Sequence, residues 1–268
     1  MVAGGKAGIG RIIATSLVGA GALVVTGRDA EGAARVATLI SAERCCWAAV
    51  DLGHDAGPAQ LAAVAEQFGD RLDILVNNAG MEGRPPVNDF TRNAWDAVVD
   101  VHLSGTFFVT QALLAALRAP GTAERPSQVI HIGSIGELLV VAVENYAHEA
   151  SKAAVHHLTR TLSRRLAGEH ILVNAIAPGI FTTRMIDEMP EAFVATVRDA
   201  QPLSASATPT ILRAPPCSWP RAPVGTSTVS CSRWKEVISP ACSCLPTTLK
   251  TIAAGPGSRR CRCVPSRL

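Results

Sequence analysis

Gly4-Gly5-Lys6-Ala7-Gly8-Ile9-Gly10 leads straight into the apolar, helix-period stretch Arg11–Val18. Glycines so placed permit a tight turn and let a pyrophosphate approach the free N–H groups at a helix start. Taken alone, such a run is equally a glycine-rich surface turn. The next segment decides between the two. The apolar run Ala22–Thr26 closes on Thr26-Gly27-Arg28-Asp29, where the adenosine ribose of a dinucleotide would lie. A basic Arg28 there suits a 2′-phosphate, whereas NAD sites want an acid at the strand end. The expected cofactor is therefore NADP(H) in preference to NAD(H). Lys6 either assists at that phosphate or is a solvated charge at a loop tip.

Outward from this turn, short apolar runs alternate with helix-period segments. Ala22–Thr26, Trp47–Val50, Leu72–Val76, Val129–Ile132 and Leu172–Ile176 read as strands buried on both faces. Arg11–Val18, Glu31–Ile40, Pro58–Phe68, Trp95–Leu117 and Ser151–Leu166 read as amphipathic helices. Alternation of this kind predicts an α/β fold, a doubly wound parallel sheet with its ligand site beyond the carboxyl ends of the strands.

Composition bounds the rest. The 268 residues are 48% hydrophobic and 18% charged, enough for a buried core and against wholesale disorder. No apolar run reaches the ~18–20 residues of a membrane span, and the start lacks signal-peptide architecture, so a cytoplasmic protein with no membrane partner is expected. The net charge of +3 makes no case for nucleic acid. It conceals a break near Gln201. Residues 1–200 hold 16 Lys+Arg against 21 Asp+Glu, and residues 201–268 hold 9 against 1, with 10 of the 17 prolines and 6 of the 8 cysteines. Two regions are expected: a dinucleotide-binding domain over 1–200 and a Pro/Ser/Arg/Cys-rich tail over 201–268.

Further motifs carry a family resemblance. Asp51-Leu52, Asn77-Asn78-Ala79-Gly80, Ser134, Ser151-Lys152 and Pro178-Gly179-Ile180-Phe181-Thr182-Thr183 stand in this order over about the first 185 residues. In this the chain resembles the short-chain dehydrogenase/reductase family. From Glu144 to Met185 it is most similar to the 3-oxoacyl-acyl-carrier-protein reductases of the rhamnolipid-biosynthesis type. The resemblance implies a Rossmann fold and hydride transfer between NADP(H) and a ketone, alcohol or acyl thioester, in a homodimer or homotetramer. It implies a cofactor site from Gly4, Lys6, Gly8, Ile9, Gly10, Arg28, Asp51, Leu52, Asn78, Ala79, Gly80, Lys152, Pro178, Gly179, Ile180 and Thr183. It also implies a substrate-holding Ser134 and a nicotinamide-ribose contact from Lys152.

The catalytic set departs from the family pattern. The family's proton donor is a tyrosine four residues before the lysine; here that position is His148. The only tyrosine, Tyr146, lies six before Lys152, and six helical residues turn by about 600°, which faces it away from the four-back position. The asparagine of the family's water relay is replaced by His102. A histidine titrates near ~6.5, well placed for acid–base work, but an adjacent ammonium disfavours imidazolium and the ring is shorter than a phenol. An impaired site is expected, and the rival reading is a catalytically silent nucleotide-binding or dimerisation module. The other histidines, His54, His131, His156, His157 and His170, make no metal-ligand pattern and are expected in surface or packing roles.

Both ends differ from the family. Only Met1-Val2 precede Ala3-Gly4, so the first strand is expected to be truncated, as a late-assigned start or a shortened gene would give. After Pro202-Leu203 the family's last helix and strand are expected to be lost. Regrouping bases by one frame lets Pro220–Ala222, Val224–Val229 and Arg233–Val237 encode Ala-Ser-Arg, Gly-Gly-Tyr-Ile-Asn-Gly and Ser-Val-Glu-Gly-Gly, which resemble the missing motifs. A frameshifted tail is thus expected, with no site of its own. Cys242-Ser243-Cys244 and Cys261-Arg262-Cys263 are spaced too closely for structural zinc, and no aromatic stacking pattern accompanies the tail's arginines.

Overall fold

In the computed structural model the chain is described over residues 1–21, 23–67, 69–134 and 144–178. The elements are β1 (Val2–Ala3), α1 (Gly8–Leu17), β2 (Leu23–Gly27), α2 (Ala30–Ser41), β3 (Cys45–Ala49), α3 (Gly57–Glu66) and β4 (Ile74–Asn77). They continue with α4 (Arg92–Val99), α5 (Gly105–Ala112), α6 (Leu114–Arg118), β5 (Ser127–Ile132), α7 (Tyr146–Leu166) and β6 (Ile171–Ile176). All strand pairs are parallel, in the order β3-β2-β1-β4-β5-β6. The chain runs outward from β1 to β3, then returns to pair β4 on the other side of β1. That reversal opens a crevice at the carboxyl ends of β1 and β4, where ligands bind in open parallel sheets.

Period-two alternation along each strand feeds two cores. Val2, Val25, Val76 and Ile130 join Ile13, Ala14 and Leu17 of α1 on one face. Ala3, Val24, Leu75 and Val129 join Leu61 of α3, Val109 of α5, Leu117 of α6 and Leu113 between those two helices on the other. β1 spans only two residues, yet both are fully buried; Val2 pairs with β2 and β4, and Ala3 with β4.

Three elements differ from expectation. β3 ends the sheet, so Trp47 is exposed rather than buried on both faces. The helix expected over Trp95–Leu117 is α4, a π-helical turn at Asp100–Ser104, α5 and α6 in succession. The helix expected to begin at Ser151 begins at Tyr146. Gly179, Ile180 and Thr183, and the 201–268 tail, lie outside the described residues.

Candidate active site

The glycine-rich turn is held from three sides. Gly4 has φ +75°, and a Cβ there would lie 2.6 Å from the Ala79 Cα. Its N–H donates to the buried Thr26 hydroxyl at 3.1 Å, and its carbonyl accepts from Asn78 Nδ2 at 2.8 Å. A Cβ on Gly10 would lie 2.2 Å from the Gly4 oxygen and 2.4 Å from Asn78 Nδ2. Gly4 and Gly10 are therefore required by contacts within the protein itself. Gly8, at φ +52°, opens α1, whose first turn has no side-chain cap and no acidic residue. Uncapped N–H groups facing the crevice fit a pyrophosphate.

At the end of β2, Arg28 is exposed and Asp29 caps α2 by accepting from Gly32 N at 3.2 Å. The other Asp29 oxygen meets Lys6 Nζ at 3.1 Å. Asp51 turns its carboxylate onto Gly53 N at 3.0 Å, and Leu52 is buried in the core behind it. The two asparagines after β4 divide their work. Asn77 ties the strand to α5 through Thr110 Oγ1 at 3.0 Å, and Asn78 clamps the glycine turn. Pro178 is buried just past β6.

The reacting end is organised by α7. Ser151 and Lys152 are buried, and Lys152 Nζ donates to the Ile132 carbonyl at 2.7 Å, at the end of β5. Half-buried Ser134 stands two residues beyond that carbonyl. His148, one helical turn before Lys152, lies edge-on to His102 with ring centroids 5.2 Å apart. Burial, then the Lys152 ammonium and the Arg84 guanidinium, pull the His148 imidazole down to about 4. Tyr146 is 40% exposed and packs edge-on against Phe90, away from this cluster, as its position in the helix requires.

His102 sits in the π-helical turn and is almost fully buried. Its Nε2 accepts from Met81 N at 3.0 Å, which leaves the proton on Nδ1. Nδ1 then donates to Ser151 Oγ at 2.8 Å, and that hydroxyl donates to the His148 carbonyl, also at 2.8 Å. Burial, with Lys152 and His148 nearby, holds the ring at about 2, so it stays neutral. Both ring nitrogens are thus engaged by the protein, Nε2 by Met81 and Nδ1 by Ser151. His131, in β5, is fully buried and meets Thr159 Oγ1 at 2.9 Å, a packing role as expected.

Four contributors were not singled out from sequence as site residues: Thr26, Met81, Ser151 and Arg84. Thr26 and Ser151 belong to motif segments already noted. Met81 acts through its backbone N–H and Arg84 through its place in the fold, neither of which leaves a residue-type signal.

With β1–α1–β2, the Asn78 turn and the Ser134–Lys152 pair in one crevice, comparison with known proteins is decisive. The short chain dehydrogenase family matches residues 1–192. The chain belongs to the short-chain dehydrogenase/reductase family. It is 43% identical over 187 residues to the rhamnolipids biosynthesis 3-oxoacyl-[acyl-carrier-protein] reductase of Pseudomonas aeruginosa, covering 69% of this chain and 73% of that one. It is 32% identical over 213 residues to the cis-4-hydroxycyclohexanecarboxylate dehydrogenase of Sinomonas cyclohexanicum, covering 78% and 83%. Its structure superposes on the Pseudomonas aeruginosa RhlG/NADP active-site complex with TM-score 0.74 and 37% identity, over 79% of this chain and 84% of that one. A Brucella melitensis 3-ketoacyl-(acyl-carrier-protein) reductase complexed with NADH superposes with TM-score 0.70 and 27% identity, over 79% and 85%. This short-chain dehydrogenase/reductase is an oxidoreductase of Rossmann fold. No helix among the described residues is long and apolar enough to cross a membrane, and none of their His, Cys, Asp and Glu side chains form a group able to hold a metal.

Proposed function

We propose that the chain reduces 3-oxoacyl thioesters or similar ketones with NADPH, at a rate held down by its proton donor. The observation that carries this reading is the spatial one: His148 stands one turn before the buried Lys152, in the position of the family's phenol. Bound reduced nicotinamide would supply the hydride. Ser134 holds the substrate oxygen and the His148 N–H points a proton at it, while Lys152 takes the nicotinamide ribose. His102 is a positioning residue that ties the Met81 turn to the backbone of His148 through Ser151. At pH 7 a group of pKa about 4 is doubly protonated in only about one ring in a thousand, so the strongly acidic imidazolium form of the donor is rare. NADPH oxidation in the presence of an acetoacetyl thioester tests the reading. Cofactor binding without turnover would instead mark a silent nucleotide-binding module.

Preference for NADP(H) is supported by the groups around the end of β2. Asp29 is occupied by Gly32 and Lys6, whereas Arg28 is exposed. The Lys6–Asp29 pair is exposed and thus weak, so Lys6 can turn to a phosphate as well. A charge-assisted phosphate contact corresponds to about ten- to a hundredfold in affinity. Arg28→Ala should cost NADPH binding that much and leave NADH binding nearly unchanged. An unaltered NADPH/NADH ratio by titration would refute the assignment.

Self-association through α5 and α7 belongs to the same proposal. Phe108 is 49% exposed and stacks edge-on with half-buried Phe107, and Leu114, Leu158 and Leu162 are half-buried. Leu113 and Val155 are buried in the core and add nothing to this surface. A dimer at micromolar concentration by sedimentation, reduced to a monomer by Phe108→Arg, is the expected result. The thiols of Cys45 and Cys46 are free, which suits a reducing, cytoplasmic setting.

A further inference from the structure

The segment from Met81 to Val87 is strapped at both ends across the start of α7. At one end Met81 N donates to His102 Nε2 at 3.0 Å, and the His102 ring lies against His148. At the other end Val87 N donates to the Glu144 carboxylate at 2.8 Å, four residues before His148. Arg84 lies midway between these anchors. Its side chain is 18% exposed and paired with that of Glu82, which is 12% exposed. Arg84 is close enough to lower the His148 pKa, and burial is the larger cause of that shift. A mostly buried ion pair carries a desolvation cost, and replacing it with apolar groups is often neutral or stabilising. A mostly buried ion pair whose cation acts on His148, in a segment tied at both ends beside that residue, therefore points to a ligand with complementary oxygens.

Given the reading of this crevice as a ketone reductase, we propose that Arg84 is a specificity-determining residue. Its guanidinium holds the second carbonyl oxygen of a 1,3-dicarbonyl substrate, and Glu82 holds the guanidinium when no substrate is bound. A planar guanidinium presents a fork of N–H donors suited to a carbonyl or carboxylate oxygen. Substrate oxygen and Glu82 compete for the same donors, so Glu82 sets how tightly the second oxygen is held. A simple ketone has nothing to offer Arg84 and is selected against.

The test compares an acetoacetyl thioester with 2-pentanone, which keeps the ketone and lacks the second carbonyl. Binding to the NADP-loaded chain is measured by calorimetry and reduction by NADPH oxidation. Arg84→Met should lower the dicarbonyl-to-monoketone ratio about ten- to a hundredfold in both measurements, the loss expected for a charge-assisted hydrogen bond. Arg84→Lys should recover part of it, and Glu82→Gln should raise the ratio. In the chain without cofactor, Arg84→Met should also raise the His148 titration seen by ring-proton NMR. A ratio unmoved by Arg84→Met, or an unmoved His148 titration, overturns the proposal. If the native chain binds the dicarbonyl in preference but turns over neither compound, and Arg84→Met abolishes that preference, the role of Arg84 stands and the reductase reading falls.

Discussion

His148 concentrates the residue-scale chemistry. Its ring is neutral through the physiological range because burial and two neighbouring cations disfavour imidazolium. Only the rare imidazolium is a strong acid, so the rate of ketone reduction should climb about tenfold for each pH unit lowered, as long as the fold persists. His148→Tyr should raise the neutral-pH rate by about 10²–10⁴, the usual contribution of a positioned acid, and flatten this slope. Ser134→Ala in that background should abolish most of the gain, since serine and phenol bind the same oxygen. Steady-state rates from pH 6 to 8 (a range chosen for about neutrality) decide it. A native rate independent of pH and of His148→Tyr would show histidine to be a competent acid here.

At the scale of elements, the first turn of α1 is tuned by contact rather than propensity. In an isolated helix, Gly→Ala is favourable by about 1 kcal/mol. At Gly10 the added Cβ meets the Gly4 carbonyl and Asn78 Nδ2 well inside contact distance. Gly10→Ala should therefore destabilise by about 1–3 kcal/mol, the cost of overpacking, and weaken dinucleotide binding by breaking the Asn78–Gly4 clamp. Urea unfolding together with NADPH titration reads both effects. A stabilised variant with full cofactor affinity would refute the packing account. α4 and α7 show the opposite balance. Thr91 caps α4 by accepting from Ala94 N, and Arg164 and Arg165 close α7 at its negative end, so local rules suffice there.

For the whole molecule, buried neutral histidines set the acid limit. His102 is held at about 2 and His131 at about 3, burial being the main cause in both. An unfolded histidine titrates near ~6.5, so below that pH the unfolded chain binds more protons than the folded one. Stability contributed by these rings is therefore complete above ~6.5 and falls as pH drops toward 3, by about 1.4 kcal/mol per pH unit for each. Unfolding free energies from pH 7 to 5 should show the uptake of about three histidine protons, His148, held at about 4, supplying the third. His131→Leu should remove about one of them. It should cost little stability at pH 7, because His131 Nε2 has no hydrogen-bond partner among the described residues and Thr159 keeps its bond to the Val155 carbonyl. Stability flat across this interval would contradict the burial assigned to both rings.

The sequence by itself determined the alternation of strands and helices, the glycine turn and the order of the family motifs. Each rests on local spacing: period two, period 3.6, or a few glycines in a row. It also revealed that a histidine replaces the phenol and that Tyr146 cannot return to that position, because helical rotation is a property of residue count alone. The tertiary structure alone decided the rest. That Gly10 serves Asn78, that Trp47 lies on an edge strand, and that Leu113 and Val155 are core are facts about neighbours distant in sequence. His102 reads as a relay residue by position, and only the fold shows Met81 and Ser151 engaging its two nitrogens. Arg84 carries no motif and gains its place from backbone hydrogen bonds at either end of a loop. Hydrogen-bond partners and electrostatic neighbours are set by distances in space, and spacing along the chain does not encode them.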